Sequence, residues 1–264
     1  MAIAQIKSLA VGKSENRCFD FKQFSIKDDK CAMKIGTDAL LLASWCSVEN
    51  VSRIVDLGTG SGIIALMLAQ RAPESIVVGV ELEEAAALQA EENFRLSPFQ
   101  SRLRAAQQSA QEHARQFNTC DAYDLVVSNP PYFNEKPKSP DHARNLARHD
   151  EFLPLKELWS AAKTIMKEEG RLALVWPMDR KGALHKVAKD AGFAMTRCCE
   201  IAGTKNHDPK RFLSEWVLAS RLSSNQPSLK IERLNIELGL RQQGRPKHTD
   251  RYKELLNDFV IEWH

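Results

Sequence analysis

Along the chain, two hydrophobic patterns alternate. Short runs rich in β-branched residues, "SRIVDLG" (52–58), "SIVVGVE" (75–81) and "DLVVSN" (124–129), read as strands, with "SRLRAA" (101–106) a weaker one. Between them, "GIIALMLAQRA" (62–72) and "EEAAALQAEENFRL" (83–96) read as helices, the second with its charged face in register at i and i+4. Further on, "PLKELWSAAKTIMKEEG" (154–170) predicts a helix closed by Gly170, and "RLALVWP" (171–177) a strand. A helix over 180–191 precedes two strands, 195–202 and 213–220, that read as an antiparallel hairpin. Upstream, "RCFDFKQFSIKDDKCAMKI" (17–35) spaces aromatics around a polar "KDDK" and predicts a β-hairpin. Gly36-Thr37-Asp38 then opens an apolar helix, with Thr37 or Asp38 placed to cap it. "DRYKELLNDFVIEW" (250–263) reads as a short last helix. Repeated β-α alternation implies an α/β fold: a mostly parallel, seven-stranded sheet with helices on both faces and a terminal antiparallel hairpin. The chain divides into an N-terminal hairpin and helix (1–50), the α/β core (51–222) and a C-terminal extension (223–264).

Composition narrows the class. The 264 residues, 43% hydrophobic and 27% charged, suit one large soluble domain with small additions. The N-terminus lacks the apolar core of a signal peptide, and no stretch approaches a membrane span, so a cytoplasmic protein without a membrane partner is expected. Six cysteines are scattered without a CxxC pair, which argues for free thiols and against a zinc site. A formal net charge of +3 says little about partners; the basic stretches "NEKPKSPDHARNLARH" and "RQQGRPKHTDRYK" say more.

The candidate chemistry begins where the strand "RIVDLG" ends, at Asp56-Leu57-Gly58-Thr59-Gly60-Ser61-Gly62. Glycines there let a ligand approach the backbone and turn the chain tightly into the helix. A dinucleotide fingerprint needs a last glycine where Ile63 stands, so the pattern is D-x-G-x-G-x-G instead. Asp56 at the strand end repels a pyrophosphate, and the loop suits a cationic ligand without phosphate. It resembles motif I of the Rossmann-like, class I S-adenosylmethionine-dependent methyltransferases. Glu81 closes the next strand, nineteen residues beyond Gly62, where a carboxylate can accept from both hydroxyls of a ribose. The resemblance implies an adenine contact after the third strand, where Ser109 and Ala110 stand in place of the usual Asp.

In "YDLVVSNPPYF" (123–133) two prolines end a strand, because neither has an N–H for the ladder. The residue before a proline is held extended, so Asn129-Pro130-Pro131-Tyr132 leaves the sheet as a stiff turn. With a methyl donor at the carboxyl strand ends, this turn has a task. Asn129 Oδ1 and the Pro130 carbonyl each accept one hydrogen of a planar amine, Pro131 stiffens the turn, and Tyr132 stacks on the substrate. The nitrogen lone pair then faces the methyl, and transfer proceeds by positioning and electrostatics, without metal or general base. An adenine treated in this way must be unstacked and flipped out. The same turn serves glutamine amides in release-factor methyltransferases and, as NPPF, guanine in ribosomal enzymes.

"FKQFSIKDDKCAMKIGTDALLLASW", with the three motif strands, resembles the tRNA1(Val) adenine-N6 methyltransferases over most of residues 18–180, and weakly in "YKELLNDF". Release-factor enzymes instead carry a helical domain ahead of the glycine loop, for which there is no room here. The resemblance implies a tRNA partner, methylation of the adenine beside the anticodon, and closure of Lys34, Gly36, Thr37 and Asp38 over the methionine end of S-adenosylmethionine. RNA contacts are expected from Lys136, Lys138, Arg144, Arg148 and His149 beside the catalytic turn. Lys27 and Lys30 at the hairpin tip and Arg245, Lys247, Arg251 and Lys253 near the end extend that footprint. A monomer is expected.

Overall fold

The computed structural model describes residues 18–118, 122–131, 155–222, 229–242 and 245–263. Twelve strands and seven helices lie among them. A central sheet takes β3 (Arg53–Leu57), β4 (Ile76–Glu81), β5 (Leu103–Gln107), β6 (Tyr123–Ser128), β7 (Met166–Pro177), β8 (Phe193–Ala202), β9 (Arg211–Leu218) and β10 (Lys230–Asn235). Its order is β10-β8-β9-β7-β6-β3-β4-β5, parallel throughout except for β9, which runs antiparallel between β7 and β8. The sheet therefore has eight strands, not the seven expected. The extra one, "KIERLN", alternates charge with Ile231 and Leu234 and needs only one partner, so its pattern is that of an exposed tail.

Period-two alternation along the strands feeds two cores. Leu125 and Val127 of β6 join α1 (Thr37–Trp45), α2 (Ile63–Arg71) and α3 (Glu84–Leu96) on one face, while Val126 joins α4 (Ala110–Arg115), α5 (Leu155–Ile165) and α6 (Lys181–Asp190) on the other. The last helix, α7 (Asp250–Leu256), is capped by the Thr249 hydroxyl and stops well short of the expected 263. At the amino edge, Asp124 bolts three strands together. It accepts from Ser52 N and Oγ, Arg53 N and, at 2.6 Å, Lys167 Nζ. Burial would raise its pKa, but these bonds pull it down to about 2.

Three further local expectations are corrected. The helix meant to reach Gly170 ends at Ile165, because Met166 already pairs with Tyr123 and a bulge follows before Leu125 meets Arg171. Gly170 serves that bulge: a Cβ there would lie 2.4 Å from Met166 Cγ and 2.9 Å from the Tyr123 carbonyl. Neither Thr37 nor Asp38 caps α1. The helix starts one residue early, with Gly36 as N-cap and no capping side chain, so Asp38 sits in the first turn and reaches Arg211 at 3.2 Å. In the N-terminal hairpin, β1 (Cys18–Asp20) and β2 (Ser25–Lys27) flank a tip made by residues 21–24, with Phe21 and Phe24 stacked at 4.7 Å. Lys27 and Lys30 are thus not at the tip. Both turn onto α3, facing Glu92 at 3.2 and 3.6 Å.

Candidate cofactor and substrate site

The carboxyl ends of β3, β4, β5 and β6 surround a cavity of about 490 Å³, within the range of small-ligand pockets. Its floor is the glycine loop after β3. Gly58 and Thr59 N–H donate to the Val80 carbonyl at 2.8 and 3.0 Å, so the loop is held by the neighbouring strand. Gly62 has φ +87° and begins α2; a Cβ there would lie 2.4 Å from the Phe94 ring of α3. Only glycine meets both conditions. Asp56 is fully buried beneath the loop. Its Oδ2 accepts the Thr59 hydroxyl at 2.6 Å, while Oδ1 has no partner. Burial pushes this carboxyl up to about 7.

Glu81 forms a wall. Oε2 accepts Gly60 N–H at 2.8 Å, and Oε1 accepts Leu82 and Glu83 N–H at 2.9 and 3.1 Å. Three backbone donors fix its rotamer without using a side chain. Opposite stands the turn after β6, with Asn129, Pro130 and Pro131 on the cavity. Asn129 Oδ1 is buried and unpartnered, and a buried acceptor without a donor is costly unless a ligand supplies one. Ser128 Oγ donates to the Leu57 carbonyl at 2.7 Å, locking the turn to the base of the glycine loop.

The predicted residues thus separate into groups. Gly58, Gly60, Glu81, Ser109, Ala110, Asn129, Pro130 and Pro131 come together on the cavity, with Asp56, Thr59 and Gly62 just behind it. The Ser109 hydroxyl is engaged in a capping box with Glu112 at the start of α4. Lys34, Gly36, Thr37 and Asp38 do not line the cavity; Lys34 Nζ turns back to the Asp28 and Asp29 carbonyls at 2.7 and 3.0 Å. Cys31, Ala32 and Met33 form that wall instead. Tyr132, Lys136, Lys138, Arg144, Arg148 and His149 lie outside the described residues.

Two amides escaped the sequence reading. Gln89 and Asn93 lie four apart on α3 and are buried. Asn93 Nδ2 donates to the Lys27 and Ser61 carbonyls, both at 2.8 Å, and Gln89 Oε1 accepts Lys30 N–H at 2.8 Å. They staple the N-terminal segment to the glycine loop and so place residues 31–33 over the cavity. Polar residues at i and i+4 on the apolar side of a helix were the available signal.

Among the described residues, the cavity lining holds two acids, Glu81 and Glu83, and no Lys, Arg or His. With Asp56 beneath, that donor set suits a cation and opposes a phosphate. Among the described residues, no helix is long and apolar enough to cross a membrane, and no group of three or more His, Cys, Asp or Glu is arranged to hold a metal.

Sheet order, glycine loop and acid wall define a Rossmann-like methyltransferase domain, a class for which S-adenosylmethionine is the implied methyl donor. Solved structures share this fold: a predicted O-methyltransferase, protein Atu636 from Agrobacterium tumefaciens, at 20% identity and TM-score 0.63, covers 84% of this chain and 96% of its own. A type I restriction-modification methyltransferase subunit from Streptococcus thermophilus, at 14% identity and TM-score 0.53, covers 86% and 52%. The methyltransferase small domain family matches residues 31–194. The tRNA1(Val) (adenine(37)-N6)-methyltransferase of Parabacteroides distasonis is 41% identical over 94% of this chain and 99% of its own, and that of Bacteroides thetaiotaomicron 36% identical over 93% and 98%. The chain belongs to the tRNA1(Val) (adenine(37)-N6)-methyltransferase family.

Proposed function

We propose that the protein transfers a methyl group from S-adenosylmethionine to N6 of an adenine beside the anticodon of a tRNA, the substrate named for its relatives. The observation that carries the reading is Asn129 Oδ1, a buried acceptor without a donor, held at the cavity by a proline-locked turn.

When bound, S-adenosylmethionine supplies an electrophilic methyl on a sulfonium. Glu81 is the residue for the ribose hydroxyls, and the Gly58 and Gly60 backbone admits the ligand closely. The adenine edge of the cofactor falls to Ala110 N–H, a first-turn donor of α4 that no intrahelical carbonyl serves. The Ser109 hydroxyl already caps that helix and takes no part. Leu82 and Met33, exposed apolar side chains on the cavity, cover flat apolar surface.

Asn129 acts on the substrate. Its Oδ1 and the Pro130 carbonyl take the two amino hydrogens of the flipped base, which draws the nitrogen lone pair out of the ring and points it into the cavity. Pro130 and Pro131 cannot donate into the ladder, so the turn carries no sheet hydrogen bond that would drag it out of place. Two aligned acceptors at the reacting nitrogen contribute through preorganisation, as positioned dipoles do elsewhere. The proton departs to water after transfer, so no residue serves as base.

The test is incubation with labelled S-adenosylmethionine and total tRNA from a strain lacking the protein, followed by nucleoside mapping. N6-methyladenosine at one anticodon-loop position is the expected product. Its absence from every tRNA, or methylated glutamine in a release factor instead, would overturn the reading.

A further inference from the structure

Two basic segments stand on the carboxyl edge of the sheet, beside the pocket but outside it. One is the loop joining β8 to β9 (203–210). The other is a hairpin of β11 (Glu237–Gln242) and β12 (Arg245–His248). They form one rim. Glu237 N–H donates to the Gly203 carbonyl at 2.8 Å, and Gly239 passes so close that a Cβ would lie 3.8 Å from Thr204 Cγ2. Arg233 clips the loop from below through the Lys205 and His207 carbonyls, at 3.4 and 2.7 Å. At its other end the loop meets the end of β7, where Met178 N–H donates to the Lys210 carbonyl at 3.1 Å. Strand β7 neighbours β6, which ends at Ser128 just before Asn129. At about 5 Å per strand, the rim lies roughly 10–20 Å from that turn along the same edge.

The charge of this rim is local. Residues 203–210 and 237–248 hold five Lys and Arg against Asp208 and Glu237, an excess of three, while the whole chain carries a formal net charge of +3. The remainder is therefore close to neutral. Lys205, Lys210, Arg245 and Lys247 are exposed and form no ion pair among the described residues. Three other cations expected from the sequence to meet RNA already face carboxylates: Lys27 and Lys30 share Glu92, and Arg251 meets Glu232 and Glu254, each at 3.7 Å. Unpaired like charges crowded on one edge repel each other, and a polyanion relieves that repulsion.

We propose that Lys205, Lys210, Arg245 and Lys247 form the surface that receives the phosphate backbone of the RNA whose base enters the pocket. The proposal rests on the methyl-transfer reading of that pocket. Phosphates recur about every 3.4 Å along one strand of a duplex, so a rim about 10 Å long, two strand spacings, faces roughly three of them. The two segments contain no Phe, Trp or Tyr on which a base would stack. The rim consequently positions the RNA and sets salt dependence, while base choice stays with the pocket.

The test compares the wild type with a variant carrying Lys205→Ala, Lys210→Ala, Arg245→Ala and Lys247→Ala. A charge-matched control carries Arg95→Ala, Arg104→Ala, Lys186→Ala and Lys189→Ala, four exposed cations elsewhere on the core. In the rim variant KM for tRNA is expected to rise at least tenfold, with kcat at saturating tRNA and cofactor affinity unchanged. The plot of log affinity against log salt should flatten by about 0.9 for each phosphate that the variant no longer neutralises. The control should behave as wild type. An unchanged KM and salt slope, or an equal loss in the control, overturns the rim. Filter retention of tRNA separates the two readings. Salt-sensitive retention that depends on the rim, without any N6-methyladenosine, removes the pocket reading and leaves the rim; normal methylation with an unaffected rim variant does the reverse.

Discussion

Gly60 N–H donates to Glu81 Oε2 at 2.8 Å, which ties the glycine loop after β3 to the end of β4. The carboxylate is thereby both a candidate ribose acceptor and a brace for the loop beneath the cofactor. Glu81→Ala removes both roles. Cofactor affinity should fall about 10- to 100-fold or more, from roughly 1.5–3 kcal/mol for hydrogen bonds to a carboxylate. Titration calorimetry with S-adenosylmethionine measures it; unchanged affinity would show that Glu81 only braces the loop.

Asn129 offers the opposite signature. Asn129→Ala deletes the buried unpartnered Oδ1 and should lower kcat by about 10²–10³, the cost typical of losing one preorganised polar group at a reacting centre. Cofactor affinity should stay within a few-fold of wild type. Single-turnover transfer and equilibrium binding on the same protein distinguish the two, and a joint loss assigns Asn129 to the cofactor instead.

Asp56 carries the pH dependence. Burial raises it from 3.8 to about 7. A carboxyl whose folded value lies above its unfolded one supports the fold fully below about pH 3.8, and that support is lost as pH rises through 7. Asp56→Asn should therefore melt higher than wild type at about pH 8, by some 2–4 °C per kcal/mol relieved, and equally at about pH 4. Affinity of the wild type for the cationic donor should rise through the same window, and that of Asp56→Asn should not. Melting curves and calorimetry at the two pH values decide both.

Gly62→Ala forces a Cβ into a backbone with φ +87° and to within 2.4 Å of the Phe94 ring. About 1–2 kcal/mol of backbone strain and a further 1–3 from overpacking are expected, seen as a lower denaturant midpoint. Phe94→Leu in the same chain should recover the packing share alone. Full recovery would mean that the left-handed backbone costs nothing there.

Much of this site was legible because it is built from contiguous motifs. Asp56 to Gly62, Glu81 and Asn129 to Pro131 each end a strand, and parallel strands bring their carboxyl ends to one edge whatever lies between them. The flanking wall was not legible in the same way. "MKIGTD" suggested Lys34 to Asp38, yet Cys31, Ala32 and Met33 are the residues on the cavity. Two amides on α3 set that register from 59 and 66 residues away, through Lys30 and Lys27, and no local pattern encodes such a pairing. The placement of Lys27 and Lys30 at the hairpin tip was likewise not legible, because both turn to Glu92 on another element.

The sequence alone determined the alternation of strands and helices, the glycine loop that opposes phosphate, and the proline-stiffened turn after β6. Periodicity and backbone sterics act over a few residues, so these survive any tertiary arrangement. Tertiary structure decided the eighth strand, the segment that walls the cavity, and the cations left unpaired at the carboxyl edge. Each of these depends on which distant groups the fold brings within reach of a residue that has several locally acceptable partners.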